Sequence, residues 1–239
     1  VRSVEKAGVK IDGFIAGAYA AGEILLTSDE KEIGVVLIDV GGGITDISVF
    51  DKKRLVFYDS IPVGGDHVTS DISIGLKIPY AEAEKIKRQY ELALTTLITN
   101  DQEITVTDIN DNRKKNVKIS EVVEIIEARV YEIFLLSKSL LEKSGMDASR
   151  ISNIILAGGG ISYVDGCKQL AGEVFELPVR KASYIANGVS EPECAVAAGM
   201  VRHVSNTRKG GKAGSDVKVQ TQKDSDKKPG GLRKILKIF

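Results

Sequence analysis

An apolar run, Val35–Val40, passes directly into Gly41, Gly42 and Gly43 and then into a second apolar stretch, Ile44–Phe50. Short apolar runs bounded by turn residues predict strands. With a turn at Asp51–Lys53 and a third strand at Leu55–Asp59, the segment predicts an antiparallel meander. Three successive glycines turn the backbone tightly and leave its amides open to an anion, because no Cβ stands in the way. Asp39, at the end of the first strand, is a candidate ligand, through water, for a phosphate-bound Mg²⁺. The plainer reading is a tight hairpin whose glycines only permit the turn, and one such loop leaves the two readings level. A second loop shifts the balance. Ile154–Ala157 is another buried strand, and Gly158, Gly159 and Gly160 follow it. Together the two loops frame a place where a nucleotide can be gripped.

Around these strands the pattern is mixed α/β. Residues 1–33 predict the end of a helix at Val1–Gly8, a short strand at Gly13–Ala16 and a helix at Ala18–Leu26. A chain that opens on Val1 inside a helical stretch is read as part of a longer one. Further on come a helix at Tyr80–Tyr90 and polar strands at Glu103–Thr107 and Lys115–Ile119. A long helix with a capped start at Ser120 then carries Val122, Val123, Ile126, Val130, Ile133, Phe134 and Leu140 on one face. Residues 73–152 are thus read as a subdomain inserted between the two parts of a core, 34–72 and 153–204. That core ends with helices near Gly166–Phe175 and Glu193–Val204. On the Tyr80–Tyr90 helix, Glu84 and Lys87 share a face, which by itself describes an exposed ion pair.

Charge is distributed unevenly. Lys and Arg equal Asp and Glu over the chain, yet Ser205–Phe239 holds ten basic residues against three acidic ones. Residues 205–230 are polar and glycine-rich, too poor in apolar groups to offset the entropy of ordering, and read as a disordered linker. Beyond it, Leu232, Ile235, Leu236 and Phe239 recur at helical spacing, with Arg233, Lys234 and Lys237 elsewhere on the helix. An apolar stripe flanked by cations behind a tether predicts an interfacial helix, 231–239, on an anionic membrane. The competing reading docks it on the protein itself or on a partner. Cys167, Cys194, His67 and His203 are isolated, which excludes a zinc site or a disulfide framework. The sequence shows no signal peptide and no apolar run of spanning length, so a soluble or peripheral protein in a reducing compartment is expected.

The motifs resemble the actin-like ATPase superfamily, whose other members include sugar kinases, chaperone ATPases and a bacterial filament protein. Asp39–Asp46 resembles its second phosphate loop, Ala157–Gly160 its adenosine loop, and Ala18–Leu26 and Glu193–Met200 its two connecting helices. Within the superfamily, the runs Ile61–Ile72, Glu84–Lys87 and Pro192–Gly199 resemble the FtsA family of bacterial cell-division proteins. This resemblance implies the second half of an actin-like, ribonuclease-H-like ATPase fold with an inserted subdomain. It implies ATP and Mg²⁺ as cofactors, with Gly41, Gly42 and Gly43 at the β- and γ-phosphates and Asp39 and Thr45 also among the cofactor-binding residues. Gly158, Gly159 and Gly160 would then lie beside the α-phosphate and adenosine, and Glu84 and Lys87 would border the ribose and base.

The same resemblance implies a scaffold more than an enzyme, with weak or no ATPase activity. Expected partners are the C-terminal peptide of FtsZ, further copies of the chain in filaments, other division proteins and an anionic membrane, with no nucleic acid. The expected place is the cytoplasmic face of the cell membrane at the division septum. Two features depart from the superfamily. Ile44 stands where a hydroxyl residue is common, and no Glu or Gln near Ala18–Gly22 is placed to position an attacking water. The superfamily's first phosphate loop also has no counterpart in these residues, so the cleft is expected to be incomplete. The alternative is another actin-fold ATPase: a pilus-assembly relative, a sugar kinase or a chaperone.

Overall fold

The computed structural model describes residues 1–184, 188–189 and 191–210. In chain order, α1 (Arg2–Lys6), α2 (Gly17–Leu25) and α3 (Ser28–Ile33) precede the meander β1 (Val35–Val40), β2 (Thr45–Asp51) and β3 (Arg54–Ile61). Helices α4 (Gly65–Gly75) and α5 (Tyr80–Gln89) follow, then the ribbon β4 (Glu103–Thr107) and β5 (Lys114–Lys118) and the long α6 (Ile119–Lys143). The chain returns through β6 (Asn153–Ala157), α7 (Cys167–Phe175), β7 (Val179–Lys181) and α8 (Ala195–Gly210).

The main sheet has the order β3-β2-β1-β6-β7. The meander is antiparallel as expected, whereas β6 joins β1 in parallel, with Asp39 opposite Ala157. A parallel pair buried on both faces explains why β1 reads as a continuous apolar run. Val36, Ile38 and Val40 point into a core shared with α4, α6 and α7, while Val35 and Leu37 pack with α2 and Ala195 on the other face. The layers are therefore helix, sheet, helix. The β4–β5 ribbon stands outside the sheet, yet its Val106 and Val117 join the first core together with Val122 and Ile126 of α6.

Several expectations change. Gly13–Ala16 forms no strand. The long helix opens at Ile119, and its cap is Glu121, whose carboxylate accepts from the Lys118 amide at 2.9 Å. Ser120 is occupied elsewhere, its amide and hydroxyl both donating to Asp101. Helix α3, not anticipated, is started by a capping box in which Thr27 and Glu30 each accept from the other's amide. Helix α8 continues to Gly210, past Ser205 where the linker was expected to begin. The remaining linker and the segment 231–239 lie outside the described residues.

One ion pair joins three elements. Arg180 of β7 donates to both carboxylate oxygens of Glu30, each at 2.7 Å, and to the Leu25 carbonyl at the end of α2. Burial would raise the Glu30 carboxyl, but hydrogen bonds from Arg180 and Thr27 outweigh it and hold the group at about 2.

Helices α2 and α8 cross on small residues. A Cβ at Gly199 would lie 1.8 Å from the Ala20 carbonyl oxygen, and one at Gly22 would lie 2.2 Å from the Phe50 ring. Nearby, Tyr19 and His203 meet edge to face with ring centroids 5.5 Å apart. Because the group facing Gly199 is backbone, no rotamer change can relieve an added methyl. Gly199→Ala is expected to force the helices apart and cost about 3 kcal/mol, read as a lowered midpoint in thermal or urea unfolding.

Candidate functional site

Parallel strands carry their chain ends in the same direction, so β1 and β6 deliver their glycine loops side by side at one edge of the sheet. The loops touch backbone to backbone. The Gly160 amide donates to the Val40 carbonyl at 2.8 Å. A Cβ at Gly158 would lie 2.2 Å from the Val40 carbonyl oxygen, and one at Gly160 would lie 2.7 Å from that of Gly41. Gly158 also holds φ +92°, which suits glycine. The second loop is therefore glycine-rich first because the first loop leaves no room for side chains.

Helix α4 fixes the first loop from the other side. The amides of Gly65 and Asp66 donate to the carbonyls of Gly41 and Gly42, at 2.9 and 2.8 Å. With these carbonyls directed at α4, the amides of Gly42 and Gly159 make no backbone hydrogen bond among the described residues. Both residues line a cleft of about 370 Å³, a size that suits a small ligand. Its lining includes Asp39 with Gly41 and Gly42 from the first loop, Gly158–Gly160 from the second, and Arg88, Glu91, Tyr163 and Glu193.

Glu84 and Lys87 both line this cleft, but their charges are largely committed. Lys87 Nζ donates to Glu84 at 2.7 Å, to the Thr69 hydroxyl at 2.7 Å and to the Gly65 carbonyl at 3.0 Å. Burial would raise the Glu84 carboxyl, yet hydrogen bonds from Lys87, Thr69 and Arg88 hold it at about 2. The pair ties α5 to the start of α4, so it forms a rigid wall with a fixed ionic network. The plain exposed ion pair does not describe it.

Two expected residues stand elsewhere. Thr45 is fully buried and its hydroxyl donates to the Val63 carbonyl at 2.7 Å, so it braces the segment leading to α4 and does not reach the cleft. Gly43 is exposed at the loop tip and is not among the residues lining the cleft. The residues that sequence reasoning missed, Gly65, Asp66, Thr69, Arg88, Tyr163 and Glu193, are brought in by tertiary packing. Of these, Gly65, Asp66, Thr69 and Glu193 fall in runs that carry the family resemblance.

Asp39 is the electrostatic anomaly of the site. Burial, and then the charge of Asp46 directly across the β1–β2 pair, push its carboxyl up to about 6. No cation of the protein pairs with it among the ion pairs of the described residues. A desolvated carboxylate facing a second one fits a hard cation. No cluster of three or more His, Cys, Asp or Glu side chains could cage a metal among the described residues. An ion held at Asp39 would complete its shell with water and ligand oxygens, the habit of Mg²⁺.

The five-stranded sheet, the twin glycine loops and the connecting pair α2 and α8 define an actin-fold protein. MreB5 of Spiroplasma citri bound to ADP superposes with a TM-score of 0.73 at 22% identity, covering 89% of this chain and 66% of that one. The ethanolamine utilization protein EutJ from Carboxydothermus hydrogenoformans gives 0.57 at 18% identity, covering 83% and 57%. Sequence then narrows the class: the family model for cell division protein FtsA matches residues 36–199, and the chain belongs to that family.

FtsA of Bacillus subtilis is 37% identical over 202 residues, 84% of this chain and 46% of its own length. FtsA of Pseudomonas aeruginosa is 36% identical over 179 residues, covering 75% and 43%, and that of Escherichia coli K12 is 28% identical over 231, covering 92% and 55%. The chain spans about half the length of the curated relatives it matches. No helix among the described residues is long and apolar enough to cross a membrane.

Because Asp39 binds a proton more tightly folded than unfolded, its contribution to stability is present below its ordinary value and lost as pH rises through 6. Asp39→Asn is expected to stabilise the ligand-free chain at pH 7.5 by roughly 1–3 kcal/mol. The gain should fade by pH 4 in urea titrations run across that range.

Proposed function

We propose that the chain is half of a division scaffold in which a nucleotide cleft biases assembly and a C-terminal helix holds the protein on a membrane. The observation that carries the reading is the pair of touching glycine loops beside a half-buried Asp39 that has no ion-pair partner among the described residues, in a member of the FtsA family. In this reading the Gly41 and Gly42 backbone receives the β- and γ-phosphates of ATP, and Gly158–Gly160 lies beside the α-phosphate and adenosine. Asp39 orients a water-bound Mg²⁺, which when bound neutralises phosphate charge. Lys87 and Glu84 act as a fixed wall at the sugar and base side. The cleft needs walls from the rest of a full-length protein to close, so nucleotide serves as a switch favouring the polymer, with turnover secondary. Membership of the FtsA family favours this reading over the sugar-kinase and chaperone alternatives.

Residues 73–152 act as the inserted subdomain, making filament contacts and receiving the C-terminal peptide of FtsZ. The surface best suited to a peptide there is a shallow groove between α4 and α6. Exposed Ile74 lies along it with Ile125 and Ala128, and Arg129 sits between Asp71 and Glu132 at its rim. Leu232, Arg233, Lys234, Ile235, Leu236, Lys237 and Phe239 supply the membrane contact, a reading that rests on sequence alone. The protein would then sit at the cytoplasmic face of the membrane at the septum, peripheral, among other division proteins.

Co-sedimentation with anionic and neutral vesicles, with and without residues 230–239, tests the tether. Binding to anionic vesicles that vanishes with the deletion supports it, and an intact chain that stays in solution rejects it. On those vesicles, Ile74→Asp is expected to weaken capture of a labelled FtsZ tail peptide at least roughly tenfold, because a charge cannot be buried in an apolar contact. Lipid binding should not change.

A further inference from the structure

The second glycine loop is held by a residue that belongs to neither loop. Tyr184 lies just past β7, where the Ala182 amide still pairs with the Leu156 carbonyl. Its hydroxyl oxygen accepts from the Gly158 amide at 2.9 Å and lies 3.1 Å from the Ser162 hydroxyl. The Ser162 hydroxyl in turn donates to the Gly158 carbonyl at 2.6 Å. Ser162 has one proton and spends it on that carbonyl, so the Tyr184 proton must go to Ser162 Oγ. The three groups therefore close a ring: Gly158 N–H to Tyr184, Tyr184 O–H to Ser162, Ser162 O–H back to the Gly158 carbonyl.

The ring grips both polar groups of one residue, and that residue is the left-handed turn of the loop, φ +92°. Gripping both fixes the peptide planes on either side of Gly158, and the second of these planes carries the Gly159 amide. Within the loop, Gly160 spends its amide on Val40, which leaves Gly159 as the donor available in the cleft. Gly158 itself is pressed against Asp39 and Val40, so a shift here would be transmitted to both loops.

We propose that Tyr184 is a positioning residue for nucleotide, acting through Ser162 and Gly158 to aim the Gly159 amide at the ligand. This rests on the nucleotide reading of the cleft given above. The role is separate from packing, because Tyr184→Phe keeps the ring and removes only the oxygen.

The test has two arms, the first on this chain and the second on the full-length protein, whose remaining walls the cleft needs to close. In the first, amide exchange is followed by NMR without nucleotide. Tyr184→Phe and Ser162→Ala should each speed exchange at Gly158 by about tenfold, since the first removes the acceptor of its amide and the second removes the group that orients that acceptor. Amides of β1 should stay unchanged, and Ser162→Thr, which keeps the hydroxyl, should restore protection. Exchange at Gly158 equal in the wild type and Tyr184→Phe overturns the ring. In the second arm, a fluorescent ATP analogue with Mg²⁺ is titrated. Either single variant should bind about tenfold more weakly, and the double variant no more weakly than the worse single, as members of one unit behave. Unchanged affinity in Tyr184→Phe, or additive losses, overturns the positioning role. If the wild type fails to bind the analogue, the nucleotide reading fails and takes the positioning role with it, while the exchange arm still decides the ring.

Discussion

The parallel pairing of β1 with β6 is the constraint on which the rest depends. More than a hundred residues separate these strands, yet their register sets Asp39 beside Ala157 and so brings Gly158–Gly160 against Val40 and Gly41. Once the strands are in register, side chains larger than hydrogen are excluded at Gly158 and Gly160 by carbonyl oxygens alone. The same pairing divides the core, because alternate residues of β1 and β6 face opposite helical layers. The site and the stability of the molecule therefore share one origin, and a change at the strand ends acts on both.

Around that junction, polar groups are arranged in two contrasting ways. On the α4–α5 side the demands are met within the protein: Lys87, Glu84 and Thr69 satisfy one another, and the Gly65 and Asp66 amides close on the first loop. On the β1–β2 side Asp46 accepts from the Tyr58 hydroxyl at 2.8 Å, but Asp39 faces it with no ion-pair partner among the described residues. Satisfied networks rigidify, whereas a partly desolvated carboxylate without a partner destabilises until something binds it. The rigid wall and the unsatisfied acid are complementary parts of a binding site, the first supplying shape and the second supplying demand.

Much of this was legible along the chain because it is local. The apolar run of β1, the glycine clusters, the amphipathic face of α6 and the Glu84–Lys87 spacing each follow from neighbours within a few residues. Misreadings arose where long-range partners competed with local signals. Ser120 has the composition of a helix cap, yet Asp101 takes its donors and Glu121 caps the helix instead. Thr45 sits in the phosphate motif, but strand alternation turns it into the core toward Val63. The Thr27–Glu30 capping box is also a local signal, and the helix it starts, α3, has only six residues.

The sequence by itself determined most of the elements, the family and the identity of both loops, because these depend on residue type and short-range spacing. Tertiary structure alone decided that the loops touch, that Asp39 is unpaired, that Lys87 is saturated and that Tyr184 reaches Gly158. The physical reason is that hydrogen-bond partners and dielectric surroundings are set by groups distant in sequence, so the charge and orientation of a site residue exist only once the chain has closed on itself.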